Sequence, residues 1–323
     1  MRPRRVIGID AGGTKLLGGV VDDQMVVHHR VRRTWRGAGR QETLDIFTDA
    51  VEEVRAAAPD VEAVGFGIPA LVDWDAGASR WSNHLPLDGV PFREVMSERL
   101  GLPVIVDNDG NMSMLAEARG GAAAGARHAV LIALGTGIAG GLWLNGAVYR
   151  GARGLGAEMG HSVLQLHGPD CPGDCPGVGC FEALVSGTAI GHEGLRVAEA
   201  EPESVLGQRL AADREITGGI VTELAHGGDP GACAVLAEIG ERLGYGLVGL
   251  VNTFNPEVIV IGGGAARGGE LLLEPARAVV AERALPPTRE GVRIVPAHYG
   301  DEAGMIGAAL MALESLGDGG RGA

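Results

Sequence analysis

A chain of 323 residues, 46% hydrophobic and 21% charged, is globular in composition and long enough for two domains of ordinary size, which excludes wholesale disorder. Its formal net charge of −14 argues against a nucleic-acid surface, which needs a basic stripe. The 55 glycines carry no Gly-X-Y period, so they point to tight turns and close backbone approaches rather than to collagen.

The opening MRPRRVIGID has the basic flank of a signal peptide, but its apolar run stops at Asp10. No stretch approaches the ~20 apolar residues of a membrane span. A cytoplasmic protein without membrane contact is expected. The runs RRVIGID, KLLGGVV and MVVHHRVRR read as strands, the last two joined by a short DDQ hairpin connection. A helix is predicted over 41–57, then the strand VEAVGFGIP, then the helix PFREVMSERLG with Gly101 as its C-cap. The strand PVIVDND hands over to a helix, NMSMLAEARGGA, whose first turn lies near Asp109. HAVLIALGTGIAGGLWLNGAVYRG then repeats the opening pattern of β run, Gly/Thr turn, Gly-Gly in the following strand and tight turn, which reads as an internal duplication. From residue 232 come the helix AVLAEIGERLGYGLVGLVN, the strand PEVIVIG, the loop GGGAARGG and the helix DEAGMIGAALMALESL. That last helix is expected to start at an Asp301 N-cap, and the tail 317–323 to be frayed. Strands alternating with helices predict an α/β fold.

Two glycine turns imitate familiar motifs and fail on context. GIDAGGTK approaches a P-loop, but Thr14 and Lys15 stand in the wrong order and a strand follows where a helix is required. GTGIAGG contains the dinucleotide-binding spacing at Gly135, Gly137 and Gly140, yet it too runs into a strand. What remains is two hairpins whose Gly/Thr turns can offer backbone N–H groups to an anion. With a third glycine loop at Gly262–Gly264, the pattern favours nucleotide binding over three unrelated turns.

The stretch HGPDCPGDCPGVGCFE holds Cys171, Cys175 and Cys180. Three thiols cannot close a disulfide framework, and in a reducing compartment clustered cysteines more often bind metal. One imidazole would complete a closed tetrahedral zinc site, and both His161 and His167 are within reach in sequence. The fourth thiol, Cys233, reads as core packing in a helix. Asp109 in VDNDGN stands where a strand meets a helix, a place suited equally to a general base and to an N-cap.

Taken together, GIDAGGTK, GIP, DNDGN, LGTGIAGG, EMGH, the cysteine cluster with CFE, and IGGG stand in the order found in the ROK family of sugar kinases, which this chain resembles from about residue 6 to 315. The resemblance implies a two-lobed ribonuclease-H-like, actin-like ATPase fold with a central cleft. It implies an ATP-dependent hexose kinase acting on the 6-hydroxyl of glucose, with Asp109 of the Asn108-Asp109 pair as general base. The sugar contacts carried over are Asn83, Asn108, Asp109, Gly137, Glu158, His161 and Glu182. Asp10 would hold Mg²⁺ through water. Gly12, Gly13, Thr14, Lys15, Thr136 and Gly137 would meet the phosphates, and Gly262, Gly263 and Gly264 the adenosine. In the family a histidine stands ten residues before the first cysteine, which favours His161 over His167 as the fourth ligand of a structural Zn²⁺. One ring nitrogen would then bind metal while the other faces a sugar hydroxyl.

Two departures from the family pattern stand out. Gly110 replaces the usual Ala after the Asn-Asp pair, and the family's C-x-C-G-x-x-G-C becomes Cys171-PGD-Cys175-PGVG-Cys180, with two extra residues between the first pair. An N-acylhexosamine kinase, acting on N-acetylmannosamine or N-acetylglucosamine, is the alternative within the class. The loop Trp74–Asn83 would discriminate the two. A sugar-responsive repressor is disfavoured by the acidic charge and by a first strand starting at about residue 4, which leaves no room for a DNA-binding helix-turn-helix ahead of it. A catalytically inactive sugar sensor is the reading from another class. ATP is preferred to polyphosphate as donor, because the polyphosphate-dependent relatives lack the cysteine cluster. The lobes are expected at 1–118 plus 301–316 and at 119–300, the second carrying the zinc. A homo-oligomer, dimer or tetramer, follows from the resemblance alone.

Overall fold

The computed structural model describes residues 3–12, 15–34, 39–82 and 85–317. In chain order these form β1 (Arg5–Ala11), β2 (Lys15–Asp22), β3 (Val27–Thr34), α1 (Arg40–Ala57), β4 (Val64–Ile68), β5 (Leu71–Asp73), β6 (Ala78–Trp81), α2 (Phe92–Leu100), β7 (Val104–Asn108) and α3 (Asp109–Gly120). There follow β8 (His128–Leu134), β9 (Ile138–Leu144), β10 (Ala147–Val148), α4 (Phe181–Val185), α5 (Gly187–Ala200), α6 (Val205–Asp213), α7 (Gly218–His226) and α8 (Pro230–Phe254). The chain ends with β11 (Val258–Gly262), α9 (Glu270–Arg283), α10 (Pro286–Arg289), β12 (Arg293–Pro296) and α11 (Ala303–Gly317).

Two compact units result, one of Met1–Gly125, Gly141–Ala157 and His298–Ala323, the other of Ala126–Gly140 and Glu158–Ala297. The segment Gly141–Ala157, which the sequence pattern assigns to the second lobe, thus belongs with the first. Its glycines explain why. A Cβ on Gly141 would lie 2.6 Å from the Gly110 carbonyl oxygen, and one on Gly154 would lie 2.5 Å from that of Val72, so this backbone rests directly on α3 and β5.

The first unit is built on a sheet of order β3-β2-β1-β4-β7. Its first three strands form an antiparallel meander, and β4 and β7 join parallel to β1. Every residue of β4 is buried, as expected for a strand covered on both faces. One cover is aromatic: Phe47, Phe66 and Phe92 meet with ring centroids 5.2–6.0 Å apart. The other is α11. Glycine makes that approach possible, since a Cβ on Gly8 or Gly65 would stand 2.0 or 1.8 Å from the carbonyl oxygens of Met305 or Ala308. A second sheet has the order β10-β9-β8-β11-β12, with β8, β11 and β12 parallel. The two orders match strand for strand, three consecutive strands followed by two crossovers, which is the duplication read in the sequence.

Local chemistry adjusts three expectations and bears out a fourth. The β2–β3 connection runs from Asp22 to Val26, with Met25 at φ 62°, so Met25 and Val26 belong to the turn. Gly101 does end α2 in the left-handed conformation, at φ 63°. Asp301 is not an N-cap: Gly300–Glu302 form a 3₁₀ turn that leads straight into α11. Cys233 is only half-buried, its thiol directed at the Ala225 carbonyl, 3.4 Å away, rather than into the core. No helix of the described residues is long and apolar enough to cross a membrane.

Candidate active site and metal centre

Strand β7 ends on Asn108, whose extended backbone (φ −62°, ψ 143°) turns the chain into α3. The Asn108 side-chain oxygen accepts the N–H groups of Gly110 at 2.8 Å and Asn111 at 3.3 Å, so the cap is Asn108. Asp109 is therefore the first helical residue, its Oδ1 taking the Gly110 N–H at 2.9 Å. An acidic group is favoured there by the partial positive charge of the helix start. The other end of the Asn108 carboxamide donates to the Ala70 carbonyl at 3.3 Å, which locks the junction onto the segment before β5.

Asp10 lies within β1, which runs one residue further to Ala11. Burial first, and then the charges of Asp109 and Asp301, push its carboxyl up from 3.8 to about 8. Asp10 and Asp109 thus share one electrostatic environment in the first unit. A Cβ on Gly304 would sit 2.5 Å from the Asp10 carboxyl carbon, so the start of α11 backs the group closely. The adjoining turn is closed by Gly12 N–H to the Lys15 carbonyl at 2.8 Å, and Lys15 opens β2 on the surface. Gly13, Thr14 and Asn83 lie outside the described residues.

In the second unit the turn Gly135–Gly137 is held from three sides. Gly135 N–H donates to the Gly137 carbonyl at 2.9 Å, Gly187 N–H donates to the Gly135 carbonyl at 2.8 Å, and the Thr188 hydroxyl reaches the Thr136 carbonyl at 2.8 Å. Thr136 itself is exposed. Gly137 is glycine for a local reason, because a Cβ there would stand 2.3 Å from the Glu182 carboxylate. Glu182 is buried and accepts the Ile138 N–H at 2.6 Å. Its other oxygen lies 4.0 Å from the Cys171 sulfur, which places it between glycine turn and cysteine cluster.

The cluster draws together His161, Cys171, Cys175 and Cys180, whose donor atoms all lie within 4.8 Å of one another, a set that could hold a metal ion. Nδ1 of His161 is 3.5 Å from the Cys171 sulfur. In a tetrahedron with bonds of about 2.3 Å to sulfur, neighbouring donors stand about 3.8 Å apart, so the spacing suits zinc. His167 is exposed and outside the cluster. Glycine again leaves the room: a Cβ on Gly177 would be 2.6 Å from the Cys180 sulfur. Single β-bridges, Val163 to Cys180 and Asp170 to Val178, fold the loop back on itself. Burial and the neighbouring thiols push Cys171 well above the ordinary thiol range, and burial raises Cys180 as well, so a metal binding here must displace protons from both. Glu158 precedes the short 3₁₀ turn Met159–His161, and its carbonyl accepts the His161 N–H at 3.1 Å.

In the third loop, Gly263 has φ 79°, and a Cβ there would stand 2.5 Å from the Leu134 carbonyl oxygen. Gly262 closes β11, and nothing lies within 4 Å of a Cβ on Gly264. Sequence reasoning passed over Asp107 and Arg150 and named Trp74 only as the start of a discriminating loop, and the structure brings the three together. Asp107, fully buried, pairs with Arg150 at 2.7 Å, and the Arg150 guanidinium lies 3.8 Å above the centre of the Trp74 ring. Only the acid directly after the apolar run of PVIVDND hinted at a partner.

The ROK family model matches residues 6–315. A glucokinase of Thermotoga maritima is 33% identical over 316 residues, 97% of this chain and 98% of its own. The crystal structure of a ROK family glucokinase from Streptomyces griseus, in complex with glucose and AMPPNP, aligns with a TM-score of 0.87 at 31% identity, covering 96% of this chain and 99% of that one. A ROK family transcriptional regulator homologous to the E. coli MLC protein aligns at 0.86 with 26% identity, over 98% of this chain but 79% of its own. The chain is a sugar kinase of the ROK family, with the actin-like ATPase fold.

Proposed function

We propose that this chain transfers the γ-phosphoryl group of ATP to the 6-hydroxyl of a hexose, with glucose as the preferred acceptor. The observation that carries the reading is the placing of Asp109: Asn108 does the capping, and the Asp109 carboxylate shares the charge environment of Asp10, two residues before the first glycine turn. An ionised aspartate can take the hydroxyl proton as the sugar oxygen bonds to the γ-phosphorus and the bridging bond to the β-phosphate breaks, releasing ADP. Mg²⁺ near Asp10 would neutralise phosphate charge. The amide groups of Gly12–Lys15 and Gly135–Gly137 would bind the nucleotide tail, and Gly262–Gly264 would leave room for adenosine. Asn83, Asn108, Glu158, His161 and Glu182 would hold the sugar hydroxyls. Glucose is supported by relatives named glucokinase at 31–33% identity and by the glucose-bound neighbour.

The donor geometry of His161, Cys171, Cys175 and Cys180 supports a structural Zn²⁺ bound through Nδ1, which leaves Nε2 of His161 for the substrate. A cytoplasmic homo-oligomer belongs to the same reading.

A coupled ADP-release assay across glucose, mannose, fructose and the N-acetylhexosamines tests it. The highest kcat/KM is expected on glucose, and Asp109→Asn should lower kcat by about 10²–10⁴-fold while sugar binding persists. Preference for an N-acetylhexosamine would replace the substrate assignment. No turnover on any sugar would make the chain a sensor.

A further inference from the structure

The geometry points to Arg150 as a positioning residue that straps the β5–β6 loop, part of the segment expected to discriminate between sugars, to the strand end carrying the base Asp109. This rests on the sugar-kinase reading above.

The turn after β10 presents Arg150 by closing on itself, with Gly156 N–H donating to the Arg150 carbonyl at 2.8 Å. From there the side chain makes two contacts of different kinds. Nε donates to Oδ2 of Asp107 at 2.7 Å, and the guanidinium plane covers the Trp74 ring at 3.8 Å. Asp107 has no exposed surface, and its other oxygen accepts the Asn108 N–H at 2.8 Å and Nδ2 of Asn111 at 3.0 Å. Both residues flank Asp109 in sequence. Movement of Arg150 is therefore passed through one buried carboxylate to the two sides of the base.

On the loop side, Trp74 is held from the opposite direction as well. Its carbonyl accepts Arg93 of α2 at 2.6 Å, and Arg93 also donates to the Asp75 carbonyl at 3.3 Å. Gly154, at φ 87°, places its backbone so close that a Cβ would lie 2.5 Å from the Val72 oxygen and 2.6 Å from the Trp74 nitrogen. Beyond β6 the chain is fastened again, by the Ser82 hydroxyl to the Pro69 carbonyl at 2.7 Å. A second tie runs from Nδ2 of Asn108 to the Ala70 carbonyl at 3.3 Å. The loop and the junction at Asp109 are thus one mechanical body, and Arg150 is its clasp. A lysine could neutralise Asp107, but it could not stack on the indole and reach the carboxylate at once.

The test uses the full chain and the variants Arg150→Lys, Trp74→Leu, Trp74→Phe and the double variant Arg150→Lys/Trp74→Leu. Loss of the clasp should raise the sugar KM about tenfold in Arg150→Lys and in Trp74→Leu, with the ATP KM within about twofold of wild type. The double variant should be no worse than the weaker single, since both break the same contact. Trp74→Phe, which keeps a ring to stack on, should stay near wild type. A sugar KM unchanged in both single variants, or effects that multiply in the double, would overturn the assignment. Amide hydrogen exchange of the peptide Leu71–Trp81 gives a readout free of turnover, and exchange should quicken about tenfold in Arg150→Lys. If wild type phosphorylates no sugar but this exchange response holds, the kinase reading fails and the strap stands. If turnover is normal and neither KM nor exchange responds, the strap fails alone.

Discussion

Replacing Asp10 by Asn should stabilise the metal-free protein, and increasingly so as pH rises. In the folded chain this carboxyl is held at about 8 against an ordinary 3.8, chiefly by burial and then by Asp109 and Asp301. A raised carboxyl favours the folded state only while protonated, so its contribution is whole below pH 3.8 and is lost as pH climbs towards 8. Between those limits the unfolded chain binds fewer protons than the folded one, and stability falls by about 1.4 kcal/mol per pH unit. At pH 7 the penalty is at most roughly 4 kcal/mol, less whatever water reaching this partly exposed group screens. Asparagine has the same shape and no charge to desolvate. At roughly 2–4 °C per kcal/mol, Asp10→Asn should melt up to about 8–15 °C above wild type in EDTA at pH 7, with the two converging near pH 4. Melting scans at half-unit pH steps, with EDTA and then with Mg²⁺, provide the assay. Mg²⁺ should lift wild type towards the variant and leave the variant unmoved. Parallel pH dependence in the two proteins, or a variant less stable at pH 7 than at pH 4 relative to wild type, would refute the burial argument.

Other consequences follow from the same geometry. Metal analysis should find about one zinc per chain, and Cys175→Ser should lose it together with melting temperature, whereas Cys233→Ser keeps both. A Cys175→Ser protein with full zinc content would remove this cluster as the site. Gly65→Ala would drive a Cβ to 1.8 Å from the Ala308 carbonyl oxygen, so α11 must lift from β4, and denaturant unfolding should show a loss of about 3 kcal/mol or more. Near-wild-type stability there would mean that α11 does not rest on the sheet as described.

Much of this molecule was written along the chain. The strands β1, β2, β4, β7, β8 and β11 announce themselves as apolar runs bounded by turn residues, and Gly101 ends α2 by the left-handed geometry that only glycine adopts cheaply. The helices α5, α6, α7 and α8 start at Ser186, Ser204, Thr217 and Asp229, each accepting a backbone N–H three residues on. Those caps were legible, yet α4 to α7 went unassigned, because the glycines within α5 and at the start of α7 blur a helical pattern. The family motifs selected the candidate residues, since a motif records the chemistry a short segment must supply.

Tertiary structure decided what those segments do to one another. Only folding shows that Asn108 rather than Asp109 takes the cap and that Gly137 is small to admit Glu182, and folding brings to the thiols the His161 that the family spacing favoured. Only folding brings Asp10, Asp109 and Asp301 into one field, or sets Arg150 between Trp74 and Asp107 across 76 and 43 positions of chain. The reason is physical. Propensity, capping and turn chemistry act over a few residues and can be read locally, whereas desolvation, ion pairing and close packing depend on distances through space that no local pattern encodes.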